Sequence, residues 1–168
     1  MQVRSTTGRL VFWIFAWVAV DQLSKYFFKA LLASGEQISM LQGSFVLLPA
    51  YNSGAFLSAG GAMPETVRKY FFMYGILAFL VGLFVWCVRA KKLKPLEIFA
   101  FASMIGGGLS NVIDRFCYDA SVFDFLNLGV GNLRTGIFNI ADVGIMAGVI
   151  ILAVNSLVAR RTQSAAQG

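Results

Sequence analysis

The sequence predicts an all-α membrane protein with four transmembrane helices and a small β-rich segment outside the membrane. Of the 168 residues, 58% are hydrophobic and only 13% are charged. Soluble domains average roughly 45–50% apolar and about 25% charged residues. A soluble globular domain is therefore excluded, and so is a disordered chain, because disorder requires low hydrophobicity. Four apolar stretches and an uneven distribution of basic residues complete the prediction.

The four predicted spans come close to the about 20 residues that a helix needs to cross a bilayer. They are 10–32, 70–88, 96–113 and 138–159. The last span carries Asp142 near its start, and the first contains Asp21 and Lys25. A cleaved signal peptide is the alternative for the first span. It is disfavoured because no Ala-x-Ala-type cleavage site follows and the apolar pattern continues past Lys25.

Basic residues near span ends predict the orientation, because Lys and Arg concentrate on the cytoplasmic side. One set of span ends carries Arg4, Arg9, Arg89, Lys91, Lys92, Lys94, Arg160 and Arg161. We therefore expect both termini inside (N-in/C-in), with 33–69 and 114–137 outside. The first of these segments, rich in β-forming residues with Gly and Pro, predicts a β-rich extracytoplasmic cradle. The second is expected to be an irregular extracytoplasmic loop. A single integral membrane domain would span 1–168.

The composition also limits the possible chemistry. The chain has no histidine and two cysteines, Cys87 and Cys117. This excludes Ser-His-Asp and Cys-His mechanisms and most zinc, haem and iron–sulfur sites. Any catalysis would use Asp, Glu, Lys, Ser, Tyr or a free thiol, and we expect neither a metal nor a cofactor.

Polar groups in or beside the spans are the candidate functional residues. Asp21 and Lys25, one helical turn apart, form either an orienting ion pair or part of a site. Asn52 and Gly54 in YNSGAF are also compatible with an ordinary turn. Asn111 and Arg115 end the third span. Arg115 either anchors that span at the interface or holds a carboxylate.

Two aspartates, Asp124 and Asp142, form the most specific constellation. Asp142 lies at the start of the fourth span, and Asn139 lies three residues before it. An Asp at a helix start is most often a helix cap. Small residues of the third and fourth spans, Gly106–Gly108 with Gly144 and Gly148, favour close helix packing. Such packing would bring the two aspartates together. Adjacent carboxylates share one proton, which is the arrangement of an aspartic protease.

The motifs occur in an order that resembles a known family. They are DQLSK (21–25), YNSGAF (51–56), SNVIDRF (110–116), VFDF (122–125) and FNIAD (138–142). Together they resemble the lipoprotein signal peptidases (signal peptidase II) over essentially the whole chain. One departure is Ser110, where the family usually has Gly. The stretch after YNSGAF, 56–69 with Gly60 and Gly61, is our candidate for a mobile part.

The resemblance implies a bacterial aspartic endopeptidase. It would remove the signal peptide from diacylglyceryl-modified prolipoproteins, cutting immediately before the lipidated cysteine. Asp124 and Asp142 match the catalytic pair. The supporting or substrate-binding positions are Asn52, Gly54, Asn111, Arg115, Asn139, Asp21 and Lys25.

The resemblance also implies partners and a location. The partners would be prolipoproteins, membrane lipids and the inhibitor globomycin, with no nucleic acid, and the enzyme would be a monomer. It would be a multi-pass protein of the bacterial cytoplasmic (inner) membrane with its active site on the outer side.

Two other classes of protein were weighed against this interpretation. A small four-span transporter or channel would use acids inside the membrane and often shows an inverted repeat. Here most acids gather at one face, and the sequence shows no repeat. A scaffold protein would leave VFDF and FNIAD unexplained.

Overall fold

The computed structural model describes residues 2–54, 64–90 and 92–165, which are mostly helical with one small sheet. In chain order the elements are α1 (Gln2–Leu31), β1 (Ile38–Met40), β2 (Phe45–Asn52), α2 (Glu65–Tyr70), α3 (Ile76–Arg89), α4 (Pro95–Cys117), β3 (Val122–Val130), β4 (Leu133–Arg134) and α5 (Ile140–Ala165). A 3-10 turn, Leu41–Gly43, follows β1, and a π-helical turn, Phe71–Gly75, joins α2 to α3. Ala55 and Phe56 of YNSGAF, and Gly60 and Gly61 of the expected mobile part, lie outside the described residues.

Four helical stretches are long and apolar enough to cross a membrane, as the sequence predicts. They are Thr6–Leu31, Glu65–Arg89, Pro95–Cys117 and Ile140–Thr162. The third continues four residues past its predicted end at 113. The reason is that Asp114 and Arg115 are buried, at 1% and 6% exposed, so that the helix does not end where the charges begin. The chain has the architecture of a multi-pass membrane protein.

Helix α4 lies at the centre of the described helices. Of its most apolar 18-residue window, 61% is buried, against 17% in each of the other three spans. Glycines permit the close approach of its neighbours. A Cβ at Gly107 would lie 2.5 Å from the carbonyl oxygen of Ala141 in α5, and one at Gly148 would lie 2.5 Å from that of Ala100. The predicted close packing of the third and fourth spans is therefore confirmed.

The sheet corrects the expectation for residues 114–137. This segment is not an irregular loop, because it contributes β3 and β4 to a four-stranded antiparallel sheet of order β1-β2-β3-β4. The sheet is thus shared by both connections, rather than built from 33–69 alone. In β3, Val122–Asn127 is buried throughout, so the alternation that marks a half-exposed strand is missing. Its partner β2 is also distant in sequence.

One face of the sheet packs on the end of α1. Phe123 and Phe125 of β3 are buried there with Leu47 of β2. The Phe125 ring stacks on that of Phe28, with the centroids 4.4 Å apart. Because successive side chains of a strand point to opposite faces, this packing directs Asp124 to the other face.

Candidate active site

Asp124 reaches the site from strand β3, between two phenylalanines that are fixed in the core. Its side chain is almost fully buried, at 2% exposed. Oδ1 accepts a hydrogen bond from Asn139 Nδ2 at 2.6 Å, and Oδ2 accepts one from Asn52 Nδ2 at 3.2 Å. The main-chain pairing of Ala50 with Asp124 brings Asn52 to this position.

Asp142 lies in the first turn of α5, and Asn139 precedes that helix. Asn139 Oδ1 accepts a hydrogen bond from the Asp142 N–H at 3.0 Å, while Asp142 Oδ2 accepts one from the Asn139 N–H at 3.2 Å. This reciprocal pair has the form of a capping box. The other oxygen, Oδ1, accepts from Asn111 Nδ2 at 3.0 Å. Asn139 is therefore the N-cap residue, and Asp142 takes part in the cap from the third helical position while also belonging to the polar cluster.

Asn139 connects the two carboxyl groups. Its Nδ2 donates to Asp124 Oδ1 and, at 3.0 Å, to Asn111 Oδ1, and its side chain is fully buried. The structure therefore brings together Asp124 and Asp142 with the three asparagines that the sequence singled out.

Gly54 and Arg115 close one side of the cluster. Gly54 donates its N–H to Asn52 Oδ1 at 3.0 Å, and its carbonyl accepts from Arg115 Nη2 at 3.3 Å. Arg115 Nη1 donates to the Asn111 carbonyl at 3.2 Å. Within the described residues, the buried Nε of Arg115 has no hydrogen-bond partner. Arg115 is thus more than an interfacial anchor, because its buried guanidinium joins Gly54 to Asn111 of α4 through hydrogen bonds.

Asp21 and Lys25 lie one layer behind the aspartates. Lys25 Nζ is 2.7 Å from Asp21 Oδ2 and donates to Asn111 Oδ1 at 3.0 Å. Since the Asn111 oxygen faces Lys25, its amide nitrogen is directed at Asp142. Neither Asp21 nor Lys25 lines the cavity at the aspartates. Their pairing favours an organising role over a path for ions.

Asp114 and Gln22 of this layer escaped the sequence analysis, and Ser110, noted there only as a departure from the family, lies beside them. Asp114 Oδ2 lies 3.0 Å from Lys25 Nζ and accepts the Phe123 N–H at 3.0 Å, which ties β3 to α4. Gln22 Nε2 donates to Asp114 Oδ1 at 2.8 Å and to Ser110 Oγ at 3.0 Å. Ser110 Oγ donates to Asp21 Oδ2 at 2.7 Å. An acid inside SNVIDR, at the end of a span, was the available signal for Asp114.

The environment of Asp124 alters its protonation. Burial, and next the negative charge of Asp142, raise the pKa of Asp124 to about 7. The hydrogen bonds from Asn52 and Asn139 and the charge of Lys25 oppose this shift. A pKa near 7 lets this carboxyl group hold a proton at neutral pH and exchange it.

A cavity of about 930 Å³ opens at the two aspartates. Its polar wall includes Asn52, Asn111, Arg115, Asp124 and Asp142. Its apolar wall, along α5 below Asp142, consists of Val143, Met146, Ala147 and Ile150. In the described part of the chain, no three His, Cys, Asp or Glu side chains are grouped as metal ligands. The site can therefore offer two carboxyl groups to a substrate that is apolar on one side.

Known proteins resemble this chain in amino-acid sequence. A sequence profile of the family described as Signal peptidase (SPase) II matches residues 13–158. A lipoprotein signal peptidase of Ralstonia nicotianae is 37% identical over 141 residues, which cover 84% of this chain and 79% of that protein. One of Pseudomonas aeruginosa (strain UCBPP-PA14) is 35% identical over 166 residues and covers 96% of both chains.

Solved structures agree in fold. Two chains described as a bacterial membrane enzyme studied by the in meso method, at 2.3 and 1.9 Å, each give a TM-score of 0.72 over 89% of this chain. The matched regions cover 88% and 93% of the two solved chains, at 23% and 22% sequence identity. This likeness therefore concerns the fold alone. On the profile and the identities of its relatives, the chain belongs to the signal peptidase II family.

Proposed function

We propose that this protein is the aspartic endopeptidase that removes signal peptides from diacylglyceryl-modified prolipoproteins, cutting immediately before the lipidated cysteine. The observation that carries the proposal is the pair of carboxyl groups, buried Asp124 and half-buried Asp142, linked through Asn139 at the mouth of a large cavity. Family membership supplies the substrate class, and the two carboxyl groups supply the chemistry.

The dyad works with one shared proton, because two carboxylates this closely linked do not both ionise at neutral pH. Asp124, with its raised pKa, holds that proton, and Asp142 is the ionised base. Asp142 takes a proton from water while the water oxygen attacks the scissile carbonyl carbon. Asp124 gives its proton to the carbonyl oxygen, which yields a neutral gem-diol.

Collapse of the gem-diol reverses the roles of the two groups. Asp142 passes its proton to the leaving amine of the cysteine, and Asp124 recovers a proton from the gem-diol hydroxyl. The dyad returns to its starting state, so the reaction consumes one water and needs neither metal nor cofactor. Within this scheme, the Nε–H of Arg115, which has no partner among the described residues, is a donor for a backbone carbonyl of the substrate.

The substrate enters from the bilayer. A signal peptide is an apolar helix, and the cavity wall formed by Val143, Met146, Ala147 and Ile150 offers an apolar surface one side-chain layer below Asp142. These positions recur at the i, i+3, i+4, i+7 spacing of one helix face. We place both termini in the cytoplasm and the dyad at the outer face of the bacterial inner membrane, because eight of the 14 Lys and Arg residues lie at the opposite span ends, four of them in the short connection between the second and third spans.

A gel-shift cleavage assay tests the proposal. Purified protein in detergent is incubated with a diacylglyceryl-modified prolipoprotein, with and without globomycin. Wild type should cleave the substrate, whereas Asp124→Asn and Asp142→Asn should lose at least about 10³-fold in rate, since each removes one of two essential proton carriers. Asp119→Asn is the matched control, because Asp119 is highly exposed and pairs only with Lys69 among the described residues.

Two results of this assay would refute different parts of the proposal. Full activity in either dyad variant would refute the aspartic mechanism. Failure of a well-folded wild type to cleave would refute the substrate class.

A further inference from the structure

A second cavity, of about 450 Å³, lies on the sheet beside the dyad cavity. Arg134 and Ile137 line both cavities, so the two adjoin. The remaining wall includes Ser39 of β1 and Asn127 of β3. This space plays no part in the chemistry described above, although it adjoins the cavity that holds the two aspartates.

Because of a bulge in β3, Asn127 in the second cavity and Asp124 of the dyad lie on the same face of the sheet. The N–H groups of Phe125 and Leu126 both donate to the Phe138 carbonyl, at 3.1 and 2.8 Å. Two residues opposite one are the mark of a β-bulge. Without the bulge, Asn127 would point to the face opposite Asp124, because three residues separate them. With it, both side chains line one continuous trough.

Arg134 gives the second cavity its charge, since no other described residue of the lining is charged. Its Nε donates to Asn127 Oδ1 at 2.6 Å and its Nη1 to the Gly43 carbonyl at 2.9 Å. These two bonds hold the guanidinium plane in place. Within the described residues, Nη2 makes no hydrogen bond, so the two N–H donors of Nη2 are unbonded on a positive group that is held in place beside the trough.

We propose that the second cavity binds the first residues of the mature lipoprotein, those that follow the lipidated cysteine, and that Arg134 favours an acidic side chain among them. This inference rests on the proposed function. The signal peptide lies on the apolar, bilayer side of the dyad. The chain beyond the scissile bond therefore leaves on the other side, where Gln37, Ser39, Asn127 and Arg134 add polar groups to the wall of the trough.

The test compares substrates that differ only after the cleavage site. Diacylglyceryl-modified prolipoprotein peptides carry Asp or Lys at the second and third positions after the cut, and kcat/KM is measured for each. Wild type should prefer the Asp substrate by about fivefold, the effect of a partly exposed ion pair. Arg134→Gln, which can keep a hydrogen bond but has no charge, should abolish the preference, and Arg134→Glu should reverse it.

Two further variants keep the test informative if the arginine also supports the sheet. Arg160→Gln removes the same charge near the far end of α5 and should keep the wild-type ratio. Ser39→Trp fills the second cavity, and should lower cleavage of a substrate extending five residues past the cut relative to one that ends after two. A purely structural role of Arg134 would change all substrates equally.

The results distinguish this inference from the proposed function. A wild-type ratio in Arg134→Glu, with cleavage retained, would overturn the inference and leave the peptidase intact. Absence of cleavage of every substrate by wild type would overturn both.

Discussion

Replacing Asp124 by Asn should remove a large part of the pH dependence of stability. The native pKa of Asp124 is raised from 3.8 to about 7, so the folded protein binds this proton more tightly than the unfolded chain. A group whose pKa is raised in the native state stabilises the folded protein by its full amount below the unfolded-state pKa. This contribution is lost as the pH rises through the native pKa, which is about 7 here. Wild type should therefore be less stable at pH 8 than at pH 5.

The size of the effect follows from the shift. Between pH 5 and pH 8, about two pH units lie below the native pKa and contribute to the change. At 1.36 kcal/mol per unit, the free energy of unfolding should fall by about 2.5 kcal/mol. For a chain of this length, that corresponds to roughly 5–10 °C in the thermal midpoint. The Asn side chain has one oxygen for the two donors on Asn52 and Asn139. That loss is equal at both pH values and cancels in the difference.

The assay is thermal unfolding in detergent at pH 5, 6, 7 and 8, followed by tryptophan fluorescence. The midpoint of Asp124→Asn minus that of wild type should rise by several degrees from pH 5 to pH 8. Asp119→Asn, which changes an exposed carboxylate, should run parallel to wild type. Parallel curves for Asp124→Asn would refute the raised pKa and, with it, the assignment of the shared proton to this residue.

Two further substitutions probe the packing and the charges that support the dyad. Gly107→Ala should strongly reduce peptidase activity and lower the unfolding midpoint, because its Cβ would lie 2.5 Å from the Ala141 carbonyl. Gly82→Ala, with no atom within 4 Å, should match wild type, and equal effects would contradict the packing argument. Lys25→Met should cost about 3–5 kcal/mol of stability, since it leaves two buried carboxylates without their counter-charge. A second change, Asp114→Asn, should recover part of that loss in denaturant titration, and no recovery would contradict the proposed pairing.

Residues close together in sequence were the easiest to predict. Asn139 and Asp142 lie at the same helix start, and Asn111 and Arg115 lie one helical turn apart on α4. The spacing in the sequence therefore predicted that the members of each pair are neighbours. The spans were predictable for the same reason, because a bilayer requires long apolar runs. Even so, α4 exceeded its predicted end, since hydropathy treats a buried, paired charge as if it faced water.

Contacts between distant segments were beyond the sequence. The position of Asp124 depends on the pairing of β3 with β2, in which Ala50 is opposite Asp124. The direction of Asn127 depends on a bulge in β3 that no local pattern shows. Likewise, Lys25 was predicted to pair with Asp21 on its own helix. Its second partner, Asp114, comes from α4, and only the packing of α1 on α4 determines that choice.

The double role of Asn139 has a consequence for biosynthesis. This residue starts α5 and also holds Asp124, so the start of the last span and the placement of Asp124 depend on the same side chain. A nascent chain that lacks its final helix has no Asp142, and Asp124 then keeps its hydrogen bond from Asn52 but loses the one from Asn139. Under the proposed mechanism, hydrolysis therefore requires insertion of the final span.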